Sequence, residues 1–245
     1  MSKRYILDLK SRLNRFTAAY GDKLCSEIST AMIDDWLMRL NLTPVSINNY
    51  RRVLHVCFDF AQNRSFVSTN PVSKAAKIKE IETLPEIFSV QEINNFFEHA
   101  DSELVVYLAI GAFAGLRSSE LDLLDWQDID LDAGYIHVAA EKSKTARRRL
   151  VKILPNLKKR LVSVAKVKGL IRPINLSKRR RALCSKIGIK WPNNALRHSF
   201  ASYHLAHFNN AAELALQLGH TGTSLLFRHY RELVKPSEAA KWWEL

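Results

Sequence analysis

A chain of 245 residues, 47% hydrophobic and 25% charged, is long enough to bury one large core or two smaller ones. Its apolar runs fall well short of the ~20 residues that span a bilayer, and the start MSKRYILDLKSR lacks the apolar centre of a signal peptide. The spacing of Cys25, Cys57 and Cys184 suits neither a disulfide framework nor a zinc site, so free thiols in a reducing cytoplasm are expected, and the net charge of +13 points towards a polyanion.

The distribution of that charge says more than its total. From Glu141 to Lys190 there are eighteen Lys or Arg and one acidic residue, whereas from Glu80 to Asp132 there are thirteen Asp or Glu and one cation, Arg117. Cations clustered on one segment suit a nucleic acid, because each one placed on a phosphate releases condensed counterions.

In chain order, Ile6, Leu9, Leu13 and Phe16 recur at spacings of three and four, which predicts an amphipathic helix over 3–20 stopped by Gly21. Thr30 to Leu40 reads as a second helix with Ile33, Trp36, Leu37 and Leu40 on one face. Thr43-Pro44 supplies the cap and first position of a third, which buries Ile47, Tyr50, Val53, Leu54, Cys57 and Phe58. Asn70-Pro71 opens a shorter helix carrying Val72, Ala75 and Ala76. Residues 1–78 therefore form a helical domain. The stretch KIKEIETLPEIFSV changes charge sign around Pro85, which places a linker at 79–88 and a second domain at 89–245.

Ser89 and Glu92 form a capping box, and helices are expected at 90–100, 103–115 and 118–125. GYIHVAA (134–140) alternates like a strand and RRRLVKI (147–153) like its partner, with EKSKTA as the hairpin loop. Helices follow at 156–167, 176–187, 194–206, 210–218, 223–229 and from Ser237. The fold class is mainly α with a small antiparallel β-sheet.

The sequence holds no Walker loop, dinucleotide glycine fingerprint, HExxH or GxSxG. It does hold cations at the ends of elements. Arg117 follows a Gly-Leu turn at a helix start, where it either pairs with Glu120 or, oriented by it, grips an anion. Arg197 lies among Leu196, Phe200 and Tyr203, where a cation needs a partner or a ligand. His220 follows a Leu-Gly helix stop, and Tyr230 comes ten residues later.

Together, GLRSSEL, the hairpin SKT, ALRHSFA, LGH and a tyrosine shortly after resemble the core of the tyrosine recombinase (phage integrase) family, and the resemblance covers the whole chain. It implies a helical core-binding, SAM-like domain joined to a mixed α/β catalytic domain. Arg117 and Arg197 would hold the scissile phosphate, Glu120 would support Arg117, and His220 would hydrogen-bond the phosphate. Lys144 would protonate the leaving 5′-oxygen, with Lys142 as the competing candidate. Tyr230 would be the nucleophile of a 3′-phosphotyrosyl intermediate, its pKa lowered by the surrounding cations. No metal, ATP or other cofactor is implied.

This sequence departs from the family pattern twice. Asn194 stands where His or Lys is usual three positions before the second arginine; it serves either as an amide donor to phosphate or as a helix N-cap. Tyr230 falls one residue later than usual, with His229 at the ordinary position. The implied partners are double-stranded DNA and further copies of the chain in a tetrameric synapse, with no membrane and no small-molecule substrate, in a prokaryotic or phage setting at the nucleoid. Arg51 and Arg52 in the first domain and Lys142, Arg147, Arg148, Lys178, Arg179, Arg180 and Arg181 in the second are the expected DNA-contacting cations. The tail KPSEAAKWWEL either caps its own core with two tryptophans or docks on a neighbouring protomer. Because the first residues already belong to a helix, a short form without a preceding arm-binding domain is expected.

Overall fold

Short polar side chains start the second and third helices of the amino-terminal unit. Helix α1 spans Lys3–Tyr20, α2 Thr30–Arg39 and α3 Pro44–Asn63. The Ser29 hydroxyl accepts from the Met32 amide at 3.3 Å, and Thr43 accepts from Ser46 at 3.4 Å with Pro44 in the first turn of α3. This computed structural model describes residues 3–81, 83–142, 148–230 and 233–245, and the chain divides between Thr83 and Leu84 into two units.

The core of the first unit joins Phe16, Ile33, Trp36, Leu37, Leu54 and Phe58, with Phe16 set edge-on to Trp36 at 5.0 Å. The apolar stripe of α1 is buried only towards its end: Phe16 is 7% exposed, Ile6 51%. The helix expected after Asn70 is a single 3₁₀ turn, Pro71–Lys74. Asn70 accepts from the Val72 amide at 2.8 Å, and the Arg51 guanidinium takes the Ala75 and Val72 carbonyls at 3.0 and 3.3 Å. The Val72 carbonyl also accepts from the Ala75 amide at 3.1 Å, and Ala75 is extended (φ −63°, ψ 140°), so the helical ladder stops there.

In the second unit α4 spans Val90–His99 and α5 Ser102–Ala114. The capping box forms, with Ser89 Oγ accepting from the Glu92 amide at 3.2 Å and Glu92 Oε2 accepting from the Ser89 amide at 2.8 Å. Helix α6 is one turn, Ser118–Leu121, where a longer helix was expected. Beyond it the Leu124 carbonyl accepts from the Ile171 amide at 2.9 Å and the Trp126 amide donates to Gly169 at 3.0 Å, so this backbone pairs with a distant segment.

The sheet has three antiparallel strands in the order β1 (Ile129–Asp130), β2 (Tyr135–Val138) and β3 (Arg149–Lys152). Ile136 opposes Val151 and Val138 opposes Arg149; Ile136, Val138 and Val151 are buried while Tyr135 and Leu150 face outwards. The two-residue β1 is too short for any alternation to announce it. Helices α7 (Pro155–Val162), α8 (Leu176–Ile187), α9 (Ala195–Phe208), α10 (Ala211–Leu218), α11 (Ser224–Tyr230) and α12 (Pro236–Glu244) complete the unit. No described helix is long and apolar enough to cross a membrane, and Cys25, Cys57 and Cys184 are free thiols.

Of the two alternatives for the tail, helix α12 takes the first in this chain: it packs on its own unit. Trp242 is fully buried, stacked on Tyr203 at 4.0 Å and 10°, and the Trp243 indole donates to the Tyr203 carbonyl at 3.4 Å.

Helix α9 runs through this core against α5, and two glycines set the approach. A Cβ on Gly111 would lie 2.5 Å from Leu196 Cδ1, and one on Gly115 2.2 Å from Phe200 Cδ1. Gly115 also ends α5 in the left-handed region, at φ 64°. Gly115→Ala is expected to cost roughly 3 kcal/mol, combining backbone strain with overpacking. Gly134→Ala is the control: φ is 77° but nothing lies within 4 Å of the added carbon, so the cost there is about 1 kcal/mol. Urea midpoints of the two variants check the difference, and equal shifts would show that the α5–α9 contact yields freely.

Candidate active site

A carboxylate with almost no access to solvent sits at the centre. Glu120, in the single turn of α6, has a side chain 0% exposed and accepts four hydrogen bonds. Its Oε2 takes the Arg117 amide at 2.9 Å and Arg149 Nη2 at 2.7 Å, and its Oε1 takes Arg117 Nη1 and Arg149 Nη1, each at 2.9 Å. Burial by itself would raise the carboxyl pKa. The hydrogen bonds and charge of Arg149 and Arg117 outweigh it and hold the value down at about 2. Arg117 thus pairs with Glu120 through both its backbone amide and its guanidinium, and its side chain stays 19% exposed.

Arg149 is the residue that sequence reasoning missed at this site. In the sequence it stands only as part of the second strand stretch, RRRLVKI. Its Nε donates to the Gln217 carbonyl at 2.8 Å, so one guanidinium ties β3 to α6 and to the end of α10. The available signal was register. Positions 149, 151 and 153 share one face of the strand, and Val151 and Ile153 are buried, so an arginine in that row requires a buried acid.

Arg197 is 6% exposed near the start of α9. Its Nη1 donates to the Gly115 carbonyl at 2.8 Å and its Nη2 to the Leu218 carbonyl at 2.7 Å, and Nη2 lies 3.1 Å from His220 Nε2. The Gly115 contact brings Arg197 to the turn that carries Arg117. Burial, followed by the charges of Arg117 and Arg149, lowers the Arg197 pKa to about 9, which leaves it charged at neutral pH. Burial, followed by the charges of Arg197, Arg117 and Arg149, holds His220 at about 4, so its ring is neutral. Nε2 then accepts from Arg197 and the ring proton sits on Nδ1, which is buried with no partner among the described residues. Three guanidinium charges around one carboxylate leave an excess of positive charge, which suits a phosphate.

Tyr230 ends α11, 6% exposed, its hydroxyl 2.8 Å from His198 Nδ1. The expectation that cations depress its pKa is corrected. Burial raises the phenol above its ordinary value, and Arg197 pulls it down only in part. His229 lies alongside, its ring 6.2 Å from that of Tyr230.

The other expected residues divide. Asn194 stands at the N-cap of α9 in the left-handed conformation (φ 54°, ψ 20°), exposed and without a side-chain capping bond, so the capping role is corrected. Asparagine tolerates this conformation better than most residues, which gives the position a backbone reason for its identity. Lys142 is paired to Asp128 at 2.5 Å. Lys144 and Arg147 lie outside the described residues. Arg51 is spent on backbone carbonyls, while Arg52 and Arg148 are exposed. On α8, Arg179 pairs with Asp101 at 3.0 Å and Glu103 at 2.9 Å, and Arg180 lies over the Trp191 ring at 5.2 Å. Lys178 and Arg181 remain exposed, so the densest basic run presents two of its four cations to solvent and two to its own fold.

Known proteins are similar to this chain in sequence or in fold. The family model described as "Phage integrase family" matches residues 86–235. Prophage integrase IntR of Escherichia coli (strain K12) is 29% identical over 96 residues, 39% of this chain and 23% of that protein. Tyrosine recombinase XerA of Saccharolobus solfataricus is 28% identical over 171 residues, 66% of this chain and 57% of that protein. The chain thus matches about a quarter of the length of the E. coli relative. Among solved structures, a lambda integrase dimer bound to a COC′ core site superposes with a TM-score of 0.77 at 18% identity, covering 95% of this chain and 89% of that one. With the family model spanning more than half of its length, the chain belongs to the phage integrase family.

Proposed function

We propose that this chain is a site-specific DNA recombinase that cleaves and rejoins duplex DNA through a 3′-phosphotyrosyl intermediate. The observation that carries the reading is the clustering of Arg117 and Arg149, both bonded to Glu120, with Arg197 and His220, which contact each other, and of Tyr230 hydrogen-bonded to the residue that follows Arg197.

A phosphodiester gathers charge on its non-bridging oxygens as it becomes pentacoordinate, and fixed guanidiniums stabilise that charge. Arg117 and Arg197 hold those oxygens, and His220 adds a hydrogen bond. Tyr230 attacks phosphorus, the 5′-oxygen leaves with a proton from Lys144, and the ester keeps the bond energy, so rejoining needs no nucleotide hydrolysis. Asn194 can add an amide donor. Residues 1–78 and the catalytic unit each contact the duplex, with Arg52, Arg148, Lys178 and Arg181 as exposed phosphate contacts that add affinity without reading sequence. Copies of the chain assemble on DNA as a tetramer. Supporting this, lambda integrase has been solved as a tetramer bound to a Holliday junction.

A second reading is a DNA-binding protein on the same scaffold with weakened or lost cleavage, favoured by the burial of Tyr230 and the absence of a proton-accepting group at Asn194. The full chain incubated with a pool of randomised, singly nicked duplexes separates the two. The recombinase yields DNA-linked protein that survives denaturant. Salt-sensitive duplex binding with no such adduct would establish the second reading and overturn the first.

A further inference from the structure

A tyrosine that attacks phosphorus must give up its proton, and burial here works against a standing phenolate. Asn194 cannot take that proton, because an amide is not a base at neutral pH. We propose that His198 is the catalytic base of this chain and takes the Tyr230 proton as the phenolic oxygen attacks. The proposal rests on the phosphotyrosyl reading above.

The geometry assigns the role. His198 Nδ1 is 2.8 Å from the Tyr230 hydroxyl, within the reach a general base needs. The two rings lie 5.7 Å apart with a tilt of 40°. His198 follows Arg197 directly on α9, so one rigid helix carries both the phosphate clamp and the proton acceptor. Its backbone is held from both sides: its amide donates to the Asn194 carbonyl at 2.9 Å, and its carbonyl accepts from Ser202 Oγ at 2.9 Å. Asn194 therefore contributes backbone support to the residue that performs the chemistry its own side chain cannot.

The charged and titratable groups facing the ring are Arg197 on its own helix, and His229 and Tyr230 on α11. Burial first, then Arg197 and His229, hold the imidazole below its ordinary pKa, so it is neutral at physiological pH and free to accept a proton. The hydrogen bond then runs from the phenol to Nδ1, and the resting ring proton is on Nε2.

The step balances without a co-reactant. The Oη–H bond breaks and its proton passes to Nδ1 as Oη bonds to phosphorus. The P–O5′ bond breaks, and its electron pair leaves on O5′, which is protonated by Lys144. On rejoining, the 5′-hydroxyl attacks phosphorus, gives its proton to Lys144, and the imidazolium returns its proton to the departing phenolate.

The experiment measures single-turnover adduct formation against pH for wild type, His198→Gln and His198→Asn. The substrate is the nicked duplex selected by wild type, with either oxygen or sulfur at the scissile 5′-bridging position. Both variants are expected to bind duplex as wild type does and to form adduct ~10²–10³-fold more slowly, within the range of lost general-base catalysis. The wild-type rate should fall on the acid side as one group protonates, and this limb should vanish in the variants. Sulfur, which leaves without needing an acid, should not close the gap.

Variants within threefold of wild type with the same pH profile would overturn the assignment, as would full restoration by sulfur, which would mark a defect in the acid instead. Should both variants unfold, a wild-type rate that stays flat through the acid range would overturn it alone. Wild type that forms no adduct removes the recombinase reading itself; an active wild type with indifferent variants removes only His198.

Discussion

Tyr230→Phe is expected to bind duplex DNA as the wild type does and to form no covalent adduct. The ring stays in the apolar cluster formed by Phe200, Leu205, Leu214, Leu218 and Leu226, so packing is retained. What is lost is one hydrogen bond, from the hydroxyl to His198 Nδ1, worth about 1 kcal/mol of stability. A fall of a few degrees in melting temperature with complete loss of denaturant-resistant adduct is the expected pair of results. Persistence of the adduct in Tyr230→Phe would place the nucleophile elsewhere. Equal duplex binding by the two proteins, with no adduct from either, would place the chain among scaffolds that bind without cutting.

Glu120→Gln is expected to cause the largest loss of stability. The isosteric amide keeps the shape of the pocket but leaves Arg149, 9% exposed, and Arg117 without their counter-charge, and breaking a buried pair from one side costs about 3–5 kcal/mol. The pH dependence has a definite sign. The carboxyl pKa is depressed on folding, from an ordinary 4.5 to about 2, so its contribution of about 3 kcal/mol is complete above the unfolded value. It is lost as pH falls from about 4.5 through about 2, where the wild-type carboxyl protonates as well. Urea denaturation across this range should show the gap between wild type and variant narrowing with acidity. A gap that stays constant down to the lowest pH would mean that shape rather than charge holds the cluster. Adduct formation should fall along with stability, since Arg117 loses the partner that aims it.

Much of the framework could be read locally. Thr43, Asn70 and Ser89 were each expected to open an element, and each accepts a hydrogen bond from an amide two or three residues on. Capping depends on neighbours in the chain, so it survives as sequence pattern. The end of α6 did not, because the groups that take over its backbone lie at Gly169 and Ile171. Charge density showed the same boundary: the run Lys178-Arg179-Arg180-Arg181 was visible, but the acids that claim Arg179 are more than seventy residues away.

By itself, then, the sequence determined most of the helices, the caps at Thr43, Asn70 and Ser89, the two longer strands, the fold class and the family whose motifs surround Arg117, Arg197, His220 and Tyr230. Only the tertiary structure decided that Arg149 completes the grip on Glu120, that Tyr230 is buried against His198, and that the tail tryptophans pack on their own unit. The physical reason is range. A cap or an apolar stripe is an interaction within a few residues along the chain, whereas the charge state and partner of a buried side chain are set by whatever groups packing brings next to it.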